Sequence, residues 1–184
     1  MQHIFLIGLS GSGKSTVGCM LAQGLHKPLL DIDALIEKEY GECISAIFAR
    51  HGEEYFRSLE SRMLAQAAQE DRSAIIVTGG GIVVRSENRI LMAERGMRIF
   101  LQVEPCIALQ RLLTQYKIEQ SQGYIPELRP LLAGSDPLAT LQGLLNVRLA
   151  WYNEAELACS TQEKSAEQVA AEIASKLTER WYSS

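Results

Sequence analysis

The chain has 184 residues and a formal net charge of −4. This length allows one well-buried hydrophobic core and is short for two domains, and the acidic balance argues against a surface that coats nucleic acid. The apolar fraction of 47% and the charged fraction of 22% are typical of a soluble globular domain. The four cysteines have no C-x-x-C spacing, which argues against a zinc site and against a disulfide framework.

The first residues of the chain lack the basic region and the long apolar region of a signal peptide. No apolar stretch approaches the roughly 20 residues that a membrane span needs. We therefore expect a cytoplasmic protein with neither a membrane nor a nucleic-acid partner.

Hydrophobic periodicity predicts short buried strands that alternate with amphipathic helices. The predicted strands lie at 3–8, 28–33, 74–78, 97–103 and 158–161. The predicted helices lie at 14–25, 33–40, 43–52, 53–70, 86–96, 105–113, 136–157 and 165–182. Ser86 is the expected N-cap of its helix, and the polar stretch 114–128, which has no periodicity, is predicted to be a mobile loop. The alternation indicates one α/β domain over 1–184, with a central five-stranded parallel sheet covered on both faces.

Residues 8–15, GLSGSGKS, match the phosphate-loop pattern G-x-x-x-x-G-K-[ST] at every fixed position. A predicted strand precedes the motif and a predicted helix follows it, so that backbone N–H groups and a helix N-terminus can both attract phosphate oxygens. The motif predicts nucleoside triphosphate binding, with Lys14 reaching the β- and γ-phosphates and Ser15 ligating Mg²⁺. The candidate ATP-binding residues of this segment are Gly11, Ser12, Gly13, Lys14, Ser15 and Thr16.

Asp31 and Asp33 flank Ile32 at the end of the second predicted strand. Strand alternation would place both carboxylates on the same face, at the sheet edge where open α/β folds bind ligands. One carboxylate could support Mg²⁺ while the other accepts a hydrogen bond from a substrate hydroxyl. The alternative is that these residues form a turn or an N-cap that opens the next helix.

Three consecutive glycines, Gly79, Gly80 and Gly81, follow the third predicted strand. Each glycine costs backbone entropy on folding and contributes no side chain to a core. A flexible turn would need only one glycine, so three in a row indicate bare backbone that a ligand approaches closely.

Six motifs occur in order along the chain: the phosphate loop, D-x-D, IF…GEEYFRSLE, TGGG, RPLL and R…Y. Together they resemble the shikimate kinase family, whose members phosphorylate the 3-hydroxyl of shikimate in aromatic amino-acid biosynthesis. The resemblance runs from residue 3 to about residue 157. It implies a P-loop kinase fold of the nucleoside-monophosphate-kinase type, with a lid at about 114–130, and it implies ATP and Mg²⁺ as cofactors.

For the acceptor, the resemblance implies that Asp33 binds the ring hydroxyls and positions or deprotonates the attacking one. Arg57 and Arg148 would clamp the shikimate carboxylate, a task that suits the guanidinium fork. The three glycines would form the floor of the pocket and donate N–H groups to a hydroxyl and to the carboxylate. A Cβ on the middle glycines would occupy the volume of the substrate.

For the nucleotide, the resemblance implies that Arg129 closes over the phosphates as part of the lid. Together with Lys14 and Asp33 it completes the expected catalytic set. Arg111 would lie against the adenine, and Asp31 would support Mg²⁺, expected through water. The stretch between Arg111 and Arg129 is longer than the compact lid of the family.

Other functions share the phosphate loop. The chain has no NKxD-like run for guanine recognition, which disfavours a GTPase, and no nucleobase acceptor pocket is identifiable. Gluconate kinase and adenylylsulfate kinase fit the loop but do not account for the ordered motifs that follow it. A non-catalytic nucleotide-binding domain on the same fold would be favoured if Lys14, Asp33 or Arg129 were replaced, and all three are present. A monomer is expected.

Overall fold

A five-stranded parallel sheet forms the centre of the molecule in the computed structural model, which describes residues 2–121 and 135–182. The strands are β1 (His3–Ile7), β2 (Leu29–Asp31), β3 (Ile75–Val77), β4 (Gly96–Gln102) and β5 (Leu157–Ser160). Their order is β2-β3-β1-β4-β5, and every neighbouring pair is parallel. All five residues of the central strand β1 are buried, as expected for a parallel sheet that is covered on both faces. The predicted sheet is confirmed.

Helices cover both faces of this sheet. They are α1 (Lys14–Gly24), α2 (Ile32–Tyr40), α3 (Ile44–Ala67), α4 (Ser86–Arg95), α5 (Pro105–Ser121), α6 (Pro137–Tyr152) and α7 (Ala166–Tyr182), with a short 3₁₀ helix at Ile82–Val84. Within the described ranges, none of these helices is both long enough and apolar enough to cross a membrane.

The alternation of β1 divides the core into two layers. Phe5 and Ile7 pack into a cluster that includes buried residues of α2, α3, α4 and α6. Ile4 and Leu6 point to the opposite face and pack with residues of α1 and α7. A smaller cluster joins Leu9 of the phosphate loop to α5 and α6, so the loop is anchored by an apolar side chain as well as by its backbone.

Gly52 interrupts α3, as the sequence predicts. Its φ of 82° and ψ of 174° are not helical, and a positive φ of this size favours glycine over residues with a Cβ. The chain therefore resumes its helix at Glu53 in a new direction, and the part of α3 from Glu53 onward carries Arg57.

The structure corrects the predicted loop at 114–128. Residues 114–121 continue α5, which ends at Ser121. This extension of α5 has no apolar stripe and consists largely of polar residues with good helix propensity. Gln115 and Glu119, which share a 2.7 Å side-chain hydrogen bond, add a stabilising pair four residues apart. The remainder of the predicted lid, with Arg129, lies outside the described residues.

Two helix starts also differ from their predicted positions. Asp33 does not belong to a strand, because β2 ends at Asp31 and α2 begins at Ile32; strand alternation therefore does not relate the two aspartates. Ser86 is the first residue of α4 and makes no capping hydrogen bond, since the N-cap position is Arg85.

Candidate active site

The phosphate loop joins β1 to α1 at the carboxyl edge of the sheet. Gly8, Gly11 and Gly13 take φ angles of 142°, 81° and 91°, which glycine adopts without a steric penalty. Gly11 also packs against α5, because a Cβ there would lie 2.5 Å from the carbonyl oxygen of Ala108. Gly13 is the N-cap of α1, so the N–H groups of the first helical turn open into the loop, where they favour an anion.

The ammonium group of Lys14 lies over its own loop. Its Nζ donates hydrogen bonds to the carbonyl oxygens of Gly8 at 2.9 Å and Leu9 at 3.0 Å, and the residue is only 7% exposed. A buried cation at the start of α1 makes this loop a site for a polyanion such as a triphosphate.

The two residues predicted to hold Mg²⁺ lie together. The Ser15 hydroxyl donates a 2.9 Å hydrogen bond to Oδ2 of Asp31. The other oxygen of Asp31 caps α2 by accepting from the backbone N–H groups of Asp33 at 3.1 Å and Ala34 at 3.4 Å. Asp31 is thus both the helix cap and the candidate metal carboxylate.

This donor set fits Mg²⁺, which prefers oxygen ligands and binds through few protein groups, several waters and substrate phosphates. Among the residues described, no three histidine, cysteine, aspartate or glutamate side chains form a group that could hold a metal ion.

The side chains predicted to bind the acceptor substrate closely approach the glycine segment, residues 79–81. We call these side chains and the glycine segment the acceptor half of the site. A Cβ on Gly79 would lie 2.5 Å from Oε1 of Glu60 and 2.9 Å from Oδ1 of Asp33, and a Cβ on Gly81 would overlap the guanidinium of Arg57. Neither glycine has a positive φ. Bare backbone is required at these positions because the site's own charged side chains fill the space that a Cβ would occupy.

Gly80 connects the acceptor half to the phosphate loop. A Cβ there would lie 3.1 Å from the backbone nitrogen of Ser10. The carbonyl oxygen of Gly80 accepts hydrogen bonds from Nη1 of Arg148 at 3.2 Å and from the hydroxyl of Tyr152 at 2.6 Å. The same peptide is therefore held by α6 and lies beside the phosphate loop.

Two carboxylates hold the guanidinium of Arg57. Its Nη1 donates to the buried Glu60, and its Nε and Nη2 donate to Oε1 of Glu53 at 3.2 Å and 2.9 Å. The guanidinium carbon also lies 5.9 Å and 5.4 Å from the ring centres of Phe48 and Phe56, within the range of a cation–π contact. These contacts fix the guanidinium beside Gly81.

Burial changes the proton affinity of several groups here. Burial raises the pKa of the Glu60 carboxyl, and the Arg57 guanidinium beside it opposes that shift. Burial lowers the pKa of Arg57, but Glu60 and Glu53 outweigh it, so the net shift of that pKa is upward. Burial raises the pKa of Tyr152 to about 12, against the effect of Arg148. Tyr152 therefore stays neutral and acts as a hydrogen-bond donor.

Arg111 of α5 lies beside the phosphate loop. Its guanidinium donates from Nη1 to the hydroxyl of Thr161 at 3.0 Å and from Nη2 to the carbonyl of Thr161 at 2.7 Å. Its Nη1 would lie 3.9 Å from a Cβ on Gly13. A flat, fixed cation at this place can pack against a nucleotide base.

The predicted site residues fall into two groups that meet at Gly80. The acceptor group consists of Asp33, Arg57, Gly79, Gly80, Gly81 and Arg148. The nucleotide group consists of Gly11, Ser12, Gly13, Lys14, Ser15, Thr16, Asp31 and Arg111. Arg129 lies outside the described residues, so its place relative to either group stays a prediction.

Sequence reasoning assigned no role to Glu53, Glu60 or Tyr152, although the motif GEEYFRSLE contains both glutamates and the motif R…Y ends at Tyr152. Glu60 carried a usable signal, because it is a charged residue on the apolar face of α3, three residues after Arg57. Tyr152 follows Arg148 by four residues on α6, and this spacing places both side chains on one helix face. Glu53 lies in the same motif, four residues before Arg57, but a glutamate near a helix start is ordinary and its position alone does not indicate a contact with Arg57.

Three comparisons relate this geometry to known proteins. The family model described as "Shikimate kinase" matches residues 10–178. The shikimate kinase of Symbiobacterium thermophilum is 41% identical over 180 residues, which cover 97% of this chain and 98% of that protein. The shikimate kinase of Psychromonas ingrahamii is 39% identical over 173 residues, which cover 94% of each chain.

Solved structures give the same result. The shikimate kinase of Acinetobacter baumannii in complex with shikimate has a TM-score of 0.87 and 31% identity, and the match covers 98% of this chain and 94% of that one. A gluconokinase from Sinorhizobium meliloti, at 20% identity and a TM-score of 0.57 over 98% of this chain and 95% of that one, shares the fold alone. Because the family model and the relatives agree, the chain belongs to the shikimate kinase family.

Proposed function

We propose that this protein transfers the γ-phosphoryl group of ATP to the 3-hydroxyl of shikimate, giving shikimate 3-phosphate and ADP. The observation that carries the proposal is the contact of Gly80 with both halves of the site. Its backbone adjoins the phosphate loop at Ser10, and its carbonyl holds Arg148. Such a peptide can keep a phosphate donor and a carboxylate-bearing acceptor next to each other.

Arg57 and Arg148 supply the positive charge for the acceptor. Both are largely buried, at 12% exposure for the Arg57 side chain and 8% for Arg148, so a carboxylate that reaches them is screened little by water. The guanidinium fork matches a carboxylate in two parallel hydrogen bonds. Gluconate also carries a carboxylate, so Arg57 and Arg148 alone would not distinguish it from shikimate. The rest of the pocket must recognise the ring hydroxyls of shikimate.

Asp33 is the group proposed to meet the attacking hydroxyl. It lies in the first turn of α2, with Oδ1 beside Gly79. A carboxylate there can accept the hydroxyl proton or orient the hydroxyl toward the phosphate. Since phosphoryl transfer depends mainly on positioning and charge stabilisation, either role would accelerate it.

Lys14 and the loop N–H groups are proposed to stabilise the phosphates. For this, the Nζ of Lys14 must exchange its hydrogen bonds to Gly8 and Leu9 for bonds to phosphate oxygens. Ser15 and Asp31 would hold Mg²⁺, the serine directly and the aspartate through water. Bound there, the ion would neutralise charge on the β- and γ-phosphates.

The lid, at about 114–130, and Arg129 within it are proposed to cover the phosphates and exclude water, so that ATP is not hydrolysed. Arg111 is proposed to pack against the adenine, since Thr161 fixes its guanidinium beside the loop. We further propose that the single domain acts as a monomer, because one chain supplies every group named for the reaction, and that it acts in the cytoplasm.

The test is ADP formation from ATP and Mg²⁺ with shikimate, with gluconate and with no acceptor, for the wild type and an Arg57→Ala variant. Turnover is expected only with shikimate and is expected to fall strongly in the variant. ATP hydrolysis that is indifferent to shikimate would refute the assignment of the acceptor while leaving the nucleotide site intact.

A further inference from the structure

The two carboxylates on Arg57 differ in how they are held. The side chain of Glu60 is 1% exposed. It bonds to Nη1 of Arg57 on the buried face of α3. Glu53 has a side chain that is 64% exposed, and it pairs with Arg57 one helical turn further along α3. Removing Glu60 from the guanidinium would leave a charge buried without its partner, which is costly. Removing Glu53 would only return an exposed carboxylate to water.

Glu53 occupies the part of the guanidinium that suits an incoming carboxylate. Its Oε1 accepts from both Nε and Nη2, at 3.2 Å and 2.9 Å. Paired N–H donors on one edge of arginine are the donors that a carboxylate engages in two parallel bonds. The remaining surroundings of the guanidinium are fixed, because Glu60 holds Nη1 and Gly81 adjoins the group.

We propose that Glu53 is a displaceable competitor for the substrate carboxylate at Arg57 and thereby sets the KM for shikimate. Without substrate, it occupies the Nε and Nη2 donors and keeps the guanidinium in place. When substrate binds, its carboxylate takes these donors and Glu53 moves into solvent. The inference rests on the proposed function, since it takes the acceptor to be a carboxylate that binds Arg57.

The test compares Glu53→Gln and Glu53→Ala with Glu54→Gln as the matched control. Glu54 is the adjacent glutamate and is 89% exposed, but it pairs with Arg85 instead of Arg57. Both glutamine variants remove one negative charge from the same helix start, so a general effect of charge on an anionic substrate would appear in both. An effect of competition at Arg57 appears only at position 53.

The KM for shikimate is expected to fall about 1.5- to 5-fold in the two Glu53 variants, the range that exposed ion pairs give. The control is expected to keep the wild-type KM. The affinity for shikimate methyl ester, measured by calorimetry, is expected to change less than the affinity for shikimate, because the ester lacks the competing charge.

A KM that rises or stays constant in the Glu53 variants would overturn the inference, as would an equal fall in Glu54→Gln. An equal gain in affinity for the methyl ester would overturn it too. If the wild type neither binds nor phosphorylates shikimate, the proposed function itself fails. If the wild type is active and only the Glu53 effect is missing, the failure is confined to the role of Glu53.

Discussion

The hydroxyl of Tyr152 donates a 2.6 Å hydrogen bond to the carbonyl oxygen of Gly80. Arg148, one helical turn earlier on α6, donates to the same oxygen at 3.2 Å. Because Gly80 also adjoins Ser10 of the phosphate loop, one helix positions a peptide that touches both halves of the site. The phenol is fully buried and stacks on Phe100, with ring centres 4.9 Å apart, so the donor has little freedom to move.

Tyr152→Phe is expected to lower the free energy of unfolding by about 1 kcal/mol, since it removes one buried hydrogen bond while Arg148 still serves the acceptor. The peptide at Gly80 loses its shorter bond, so the KM for shikimate is expected to rise several-fold. Urea unfolding and steady-state kinetics measure the two effects. A variant with wild-type stability and KM would show that Arg148 alone positions the peptide.

Gly81→Ala is expected to lower kcat/KM for shikimate by about 100-fold, the scale of loss when a catalytic site is displaced by 1 Å. The added methyl group would overlap the Arg57 guanidinium and force it from its place. Gly143→Ala is the control, because this helical glycine has no neighbouring atom within 4 Å of the added carbon.

The control variant is expected to gain about 0.5–1 kcal/mol of stability, as an exposed helical glycine does when it becomes alanine, with unchanged kinetics. Thermal melts and steady-state assays of both variants make the comparison. If Gly81→Ala retained wild-type kcat/KM, Arg57 would not need the position that the structure gives it.

Asp31→Asn separates the two roles of Asp31. Asparagine caps a helix about as well as aspartate, so the melting temperature is expected to stay close to that of the wild type. The loss of the carboxylate beside Ser15 is expected to raise the Mg²⁺ concentration for half-maximal activity about 10- to 100-fold, the usual cost of losing a group that supports a metal through water. A magnesium titration at saturating ATP and shikimate is the measurement, and an unchanged half-maximal concentration would assign Asp31 to the cap alone.

The features that the sequence predicted well depend on local patterns. The apolar run of β1 and the phosphate loop are each complete within a few consecutive residues, so no distant contact is needed to recognise them. Gly52 was likewise predictable as a helix break, because its positive φ is a property of one residue.

The features that the sequence missed depend on distant or weak interactions. Arg111 and Thr161 are separated by 50 residues and meet only because β5 lies beside β4. Residues 114–121 form a polar extension of α5. Because this extension has no apolar stripe, hydrophobic periodicity could not predict it. The second strand was predicted to extend to Asp33, where a helix was also predicted to begin. Because β2 has only three residues and ends at Asp31, an error of two residues carries the chain from strand into helix.

His3 is expected to make stability depend on pH between mildly acidic and neutral conditions. The residue is 3% exposed, and its Nδ1 accepts a 3.2 Å hydrogen bond from the backbone N–H of Ala74. Burial lowers the pKa of His3 below its ordinary value of 6.5, so the folded protein keeps the neutral ring that accepts this bond. The unfolded chain binds a proton near pH 6.5 and the folded protein does so only at lower pH.

It follows that the contribution of His3 to stability is fully present above pH 6.5 and is lost as pH falls through the lowered pKa of the folded state. His3→Asn retains an acceptor for the N–H of Ala74 but does not titrate. Urea unfolding between pH 5 and 8 is expected to give a free energy that falls more steeply toward acid in the wild type than in the variant. If the free energy of unfolding depended on pH equally in the two proteins, the pKa of His3 would be the same in the folded and unfolded states. That result would contradict the lowering of the pKa that burial implies.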